Sequence, residues 1–164
     1  MDRGQIALKL SIDSLGLKFQ IDDFRDRLIL QKAIYLVQAA GVHLGYYYQW
    51  YLHGPYCPSL TRDEYAVAAG MYPDLDESKG WTLDAISLDK LGRLSSMFNE
   101  SDRGKLATKL ELFASVHFLL RRGQVPDNSA IEITAILRKF DKNFTEEEVE
   151  NAIRELERYG LLAG

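Results

Sequence analysis

The sequence holds a single cysteine in 164 residues, which excludes an intrachain disulfide framework and any zinc site built on several thiolates. A reducing, cytoplasmic setting is the expectation. Basic charge is also short. Twenty Lys and Arg stand against 24 Asp and Glu, and the formal charge of −4 removes the broad positive surface that carries non-specific nucleic-acid affinity. Long apolar runs are missing: nothing approaches the about twenty consecutive apolar residues of a membrane span. The opening MDRGQIALKLSIDSLGLKF is interrupted by Asp2 and Asp13 and has no leader-like apolar block, so neither export nor membrane insertion is expected. Histidine is scarce, and His43, His53 and His117 share no metal-ligand spacing. With no glycine-rich phosphate loop either, no cofactor and no metal are implied.

What is present is a core. A hydrophobic fraction of 46 % with 27 % charged residues, at this length, matches one globular domain spanning residues 1–164. Ile6, Leu8, Leu10, Ile12 and Leu15 predict a first helix closed by Gly16. Asp22 or Asp23 then caps FRDRLILQKAIYLVQAAG, a helix apolar on nearly every face from Leu28 to Val37 and ended by Gly41. Gln31 and Lys32 are polar exceptions inside it, and a lysine drawn into a core needs a partner for its ammonium.

Further helices are predicted from Pro58 to Gly70, with Cys57 at the N-cap, and from Ser87 to Phe98. Another runs from Asp102 to Gly123 and one from about Asn128 to Phe140. The last is opened by Thr145 with Glu148 as a capping box, Phe144 and Val149 as a staple, and a Schellman end at Gly160. The stretch from Tyr72 to Ala85 reads as a mobile surface loop. The fold class expected is therefore mainly α, a compact helical domain with a small antiparallel hairpin or strand pair.

That strand pair comes from YYYQWYLHGPYCPSL, residues 46–60. Strand alternation separates Tyr46, Tyr48, Trp50 and Leu52 from Tyr47, Gln49, Tyr51 and His53, and Gly54-Pro55 reads as the turn that stops the strand. One set is expected to pack on the helix from Phe24 to Ala40. The Gly-Pro turn is expected over Gln31 and Lys32, whose donors would reach the carbonyls freed there.

Three chemistries can be built on these residues. Exposed tyrosines stack on bases, yet residues 46–56 hold no Lys or Arg, so packing or protein contact is the preferred reading. A winged-helix pair can be drawn from the last two helices, with basic residues at Lys105, Lys109, Arg121, Arg122, Arg138 and Lys139. Against it, the would-be recognition helix opens on three glutamates, and no wing is expected after it. A cysteine hydrolase would use Cys57, at a helix N-terminus, with His53 as base, but no orienting third group is visible.

The runs RLILQKAIYLVQAAG, residues 27–41, and YQWYLHGPYCPSLTRD, residues 48–63, together resemble the YwgA-like and SocA/Panacea group of bacterial and phage-associated proteins. In that group a Leu-Gln-Lys helix precedes an aromatic strand and a Gly-Pro turn. The matching residues are Leu30, Gln31, Lys32, Tyr35, Tyr51, Gly54, Pro55, Tyr56, Leu60 and Asp63. Cys57 stands where relatives commonly carry serine, and His53 where an aromatic or small residue is more usual, so no active site is carried over. The resemblance implies a mostly helical domain without established enzymatic chemistry, whose better understood relatives act as antitoxins or as adaptors that present a bound protein to a protease. The function expected is a protein-interaction module using Tyr51, His53, Gly54, Pro55 and Tyr56, with Gln31 and Lys32 behind them. Its partner would be a toxin or a client for proteolysis.

Overall fold

The computed structural model describes residues 1–123, 125 and 129–162. Among these, seven α-helices surround one continuous apolar core, with two short antiparallel hairpins at its edges. The helices are α1 (Arg3–Ser14), α2 (Phe24–Ala39), α3 (Pro58–Ala69), α4 (Ala85–Leu94), α5 (Arg103–Arg121), α6 (Ala130–Lys139) and α7 (Glu146–Arg158). A 3₁₀ turn, Ser95–Phe98, completes the segment after α4, so the expected helix there tightens over its last four residues. The predicted start of α6 at Asn128 lies outside the described residues, and the helix described is capped by Ser129.

The helix ends follow from local chemistry. Asp2, Asp23, Asp84 and Asp102 each accept a backbone N–H of the turn they open. Thr145 and Glu148 exchange the reciprocal bonds of a capping box. At the far end of α7, Leu161 N donates to Leu156 O at 2.9 Å and Gly160 N to Glu157 O at 2.9 Å, with Gly160 at φ +75°, which is a Schellman closure. Helix α6 ends the same way, with Lys142 N on Leu137 O and Asp141 N on Arg138 O, but the left-handed position is held by Asp141 at φ +57°.

Helix α2 is central. Leu30, Ala33, Ile34, Leu36 and Val37 are fully buried, and the helix packs against α1, α3 and above all α5. No helix among the described residues is long and apolar enough to cross a membrane.

The aromatic segment departs from expectation in one instructive way. Strand β1 is only Gln49–Tyr51, and it pairs with β2, Gly54–Tyr56, in the register Gln49 to Tyr56, Trp50 to Pro55 and Tyr51 to Gly54. Gly54-Pro55 is thus the returning strand, and the chain reverses at Leu52-His53. Of the two alternating sets it is the one with Tyr46 and Tyr48 that turns to the core, and Tyr48 meets Tyr35 of α2 edge-on at 5.1 Å. Leu52, of the same set by alternation, is exposed at the reversal. Trp50 packs on Phe118 of α5 and on Phe140 at the end of α6. The stretch read as a mobile loop contains a second hairpin, β3 (Met71–Tyr72) with β4 (Leu75–Asp76), whose Asp76 accepts Ser78 N at 2.8 Å.

Candidate functional site

Residues 24, 27, 28, 31 and 32 fall on one face of α2 at helical spacing, and the hairpin lies over that face. Between them is a cleft of about 330 Å³. Phe24, Arg27, Leu28, Gln31 and Lys32 supply the helix wall, Tyr51, Leu52 and His53 the hairpin tip, and Tyr56 with Thr61 the far side. Five of the residues singled out from sequence, Gln31, Lys32, Tyr51, His53 and Tyr56, therefore meet at one cleft. Gly54 and Pro55 are buried beneath it and shape it from behind.

The floor is held by side chains of α2 that satisfy the backbone where strand pairing stops. Gln31 does this twice: its Nε2 donates to Cys57 O at 2.8 Å and its Oε1 accepts Cys57 N at 3.0 Å. The same Nε2 also donates to Thr61 Oγ1 at 2.9 Å, which in turn contacts the Tyr56 hydroxyl at 2.8 Å. Lys32, 1 % exposed, donates to Pro55 O at 2.6 Å. Pro55 has no N–H, so only its carbonyl needs a partner, and the amine supplies it. Burial pushes the Lys32 amine down to about 7, with Glu111 opposing that shift and Lys142 adding to it.

Glycine is required at position 54. Its φ is +86°, and a Cβ there would collide with Ser115 Oγ of α5. That hydroxyl is buried without a hydrogen-bond partner among the described residues. Strand β2 is thereby pressed between α2 and α5.

A two-residue reversal of Leu and His lacks the Asn-Gly chemistry that makes such turns stable alone, and contacts from distant elements hold it. Lys142 Nζ donates to Leu52 O at 2.6 Å and to Glu111 Oε1 at 2.5 Å. His53 Nδ1 lies 3.6 Å from the same carboxylate oxygen, and its ring packs on Phe24 at 5.0 Å. The left-handed turn at Asp141 is what directs the following Lys142 toward the tip. Tyr51 and Tyr56 pack edge to face at 5.2 Å. The mouth is apolar and open: Phe24 is 55 % exposed, Tyr51 44 % and Leu52 79 %.

The other two chemistries find less support in these positions. Cys57 is 1 % exposed, its Sγ lies 3.1 Å from Ser59 Oγ, and its backbone is occupied by Gln31. Several of the dispersed basic residues are spent on backbone carbonyls, Arg122 on Tyr48 O at 3.2 Å and Lys109 on Met97 O at 2.7 Å. Arg138 and Lys139 are exposed in the last turn of α6, while the first turn of α7 carries Glu146, Glu147 and Glu148. Among the described residues no three His, Cys, Asp or Glu side chains converge as metal ligands do.

Sequence reasoning missed Phe24, Arg27, Leu28 and Thr61 as cleft residues and Glu111 with Lys142 as its outer support. The helix-face spacing of residues 24, 27, 28 and 31 carries a signal for the first group. Nothing local announces the Glu111–Lys142 pair, which joins residues 31 positions apart. No protein family, curated protein or solved structure matches this chain.

Proposed function

We propose that this protein is a non-enzymatic interaction module, antitoxin-like or protease-adaptor-like, that captures a partner protein with its aromatic hairpin. The observation that carries the reading is the cleft itself. Three large apolar side chains, Phe24, Tyr51 and Leu52, stand exposed around its mouth, while the polar groups beneath are fixed by mutual hydrogen bonds. Exposed aromatics around a rigid pocket are the makings of a binding hot spot, because they bury much area with little loss of side-chain freedom. The resemblance to the SocA/Panacea group gives the same direction, toward a cytoplasmic protein that works by binding. Burial of Cys57 supports a structural rather than nucleophilic thiol.

Affinity capture from the native host, with wild type and with a Tyr51→Ala, Tyr56→Ala double variant shown by circular dichroism to be folded, tests this reading. The expected result is a protein recovered with wild type alone. Equal recovery with both would move the interaction elsewhere. Loss of binding on substituting Arg138 and Lys139, with the hairpin variant unaffected, would favour nucleic acid.

A further inference from the structure

The chain is acidic overall, yet the ionisable side chains other than tyrosine that line the cleft are Arg27, Lys32 and His53, with no carboxylate among them. Two carboxylates near this region are already committed. Glu111 is paired with Lys142, and Asp26 on the neighbouring turn of α2 is paired with Arg103 at 2.8 Å. Glu64, the carboxyl whose field reaches Arg27, is fully buried with neither oxygen hydrogen-bonded among the described residues, and burial pushes it up to about 8, so it carries little negative charge near neutrality.

Arg27 is therefore the permanent cation of an apolar mouth, Lys32 being withdrawn into its floor on Pro55 O. Arg27 holds Ile21 O through Nη1 at 3.0 Å, and among the described residues no side-chain acceptor in the cleft takes the rest of its donor fork. His53, half exposed, lines the same cleft from the hairpin tip, its ring packed on Phe24.

The geometry points to a short acidic segment of the partner protein as the occupant: one large apolar side chain seated between Phe24, Tyr51 and Leu52, with a flanking Asp or Glu side chain received by Arg27 and His53. This rests on the binding role proposed above and narrows it. A volume of about 330 Å³ accepts one such anchor rather than a folded element. Carboxylate recognition by a guanidinium supplies orientation as well as attraction.

Selection of a random-peptide phage library on wild type, with counter-selection on the Tyr51→Ala, Tyr56→Ala variant, tests the occupant directly. Enriched peptides are expected to place an aromatic residue or leucine beside Asp or Glu. A synthetic peptide of the winning sequence, followed by fluorescence anisotropy, should bind about tenfold more weakly to Arg27→Gln. His53→Gln is a second variant that should weaken binding, with circular dichroism and the melting temperature checking that loss of its packing on Phe24 leaves the hairpin folded. Replacing the acidic residue of the peptide by its amide should lose the same increment and abolish the difference between wild type and Arg27→Gln. Hairpin-dependent peptides that are neutral or basic would overturn the acidic occupant and leave the binding role standing. Recovery of no hairpin-dependent peptide would count against both.

Discussion

Lys32 Nζ reaches Pro55 O at 2.6 Å, joining the buried face of α2 to the strand that returns from the hairpin tip. The bond unites two requirements. A carbonyl with no strand partner needs a donor, and an amine inside a core needs an acceptor. It also fixes the floor of the cleft, since Gln31, the preceding residue, holds the backbone of Cys57 with its own side chain.

Lys32→Met is expected to lower stability by about 1–3 kcal/mol under alkaline conditions, because Pro55 O is left without a donor. The amine has a folded-state pKa of about 7 against 10.5 unfolded, so folding favours its neutral form. Its contribution is full above 10.5 and is lost as pH falls through about 7. The wild-type urea midpoint should therefore rise relative to the variant's as pH rises across that window, from below it to above it. A constant difference would show that the lysine is not desolvated.

Glu64 works in the opposite sense. Its folded-state pKa of about 8 lies above the ordinary 4.5, so the stability tied to its protonated form is complete below 4.5 and is lost as pH rises through about 8. Glu64→Gln should match wild type at acid pH and exceed it by about 2–4 kcal/mol once the pH is above that upper value. Chemical denaturation of both proteins across the window measures it.

Gly54→Ala is expected to cost about 2 kcal/mol or more, through its positive φ and through the collision with Ser115 Oγ. Ser115→Ala alone should be neutral or mildly stabilising, because the hydroxyl it removes has no partner. Combined, the two should cost less than their sum, since one collision is relieved, and a double-mutant cycle on thermal unfolding reads that coupling.

Asp141→Gly should stabilise by about 0.5–1 kcal/mol, because the residue sits left-handed at φ +57° in a position glycine fills without strain. Denaturant midpoints check it, and unchanged binding in the same variant would show that only the turn geometry, not the Asp141 side chain, is needed to aim Lys142.

Much of this was legible from residue order. The caps at Asp23, Asp102 and Thr145 and the closure at Gly160 depend on neighbours a few positions away, which a sequence displays. Which of the alternating aromatics are buried was not legible there, because that is set by helices distant in the chain. The pairing of Gln31 and Lys32 with the Gly-Pro segment was also readable, because buried polar groups demand partners. The reversal at Leu52-His53 was not. Gly-Pro is ordinarily turn chemistry, and here the turn is held by Lys142 and Phe24, contacts that no local pattern encodes. For the same reason the basic character of the cleft emerged only once Glu111, Asp26 and Glu64 had been placed.

The most direct measurement is site-specific photo-cross-linking in the native host. A benzophenone amino acid is placed at Leu52, on the exposed tip, or at Ile131, on the exposed face of α6. Binding at the hairpin predicts a discrete cross-linked protein from position 52 that disappears on Tyr56→Ala, and none from position 131. A product from position 131 with nothing at position 52 would contradict the account.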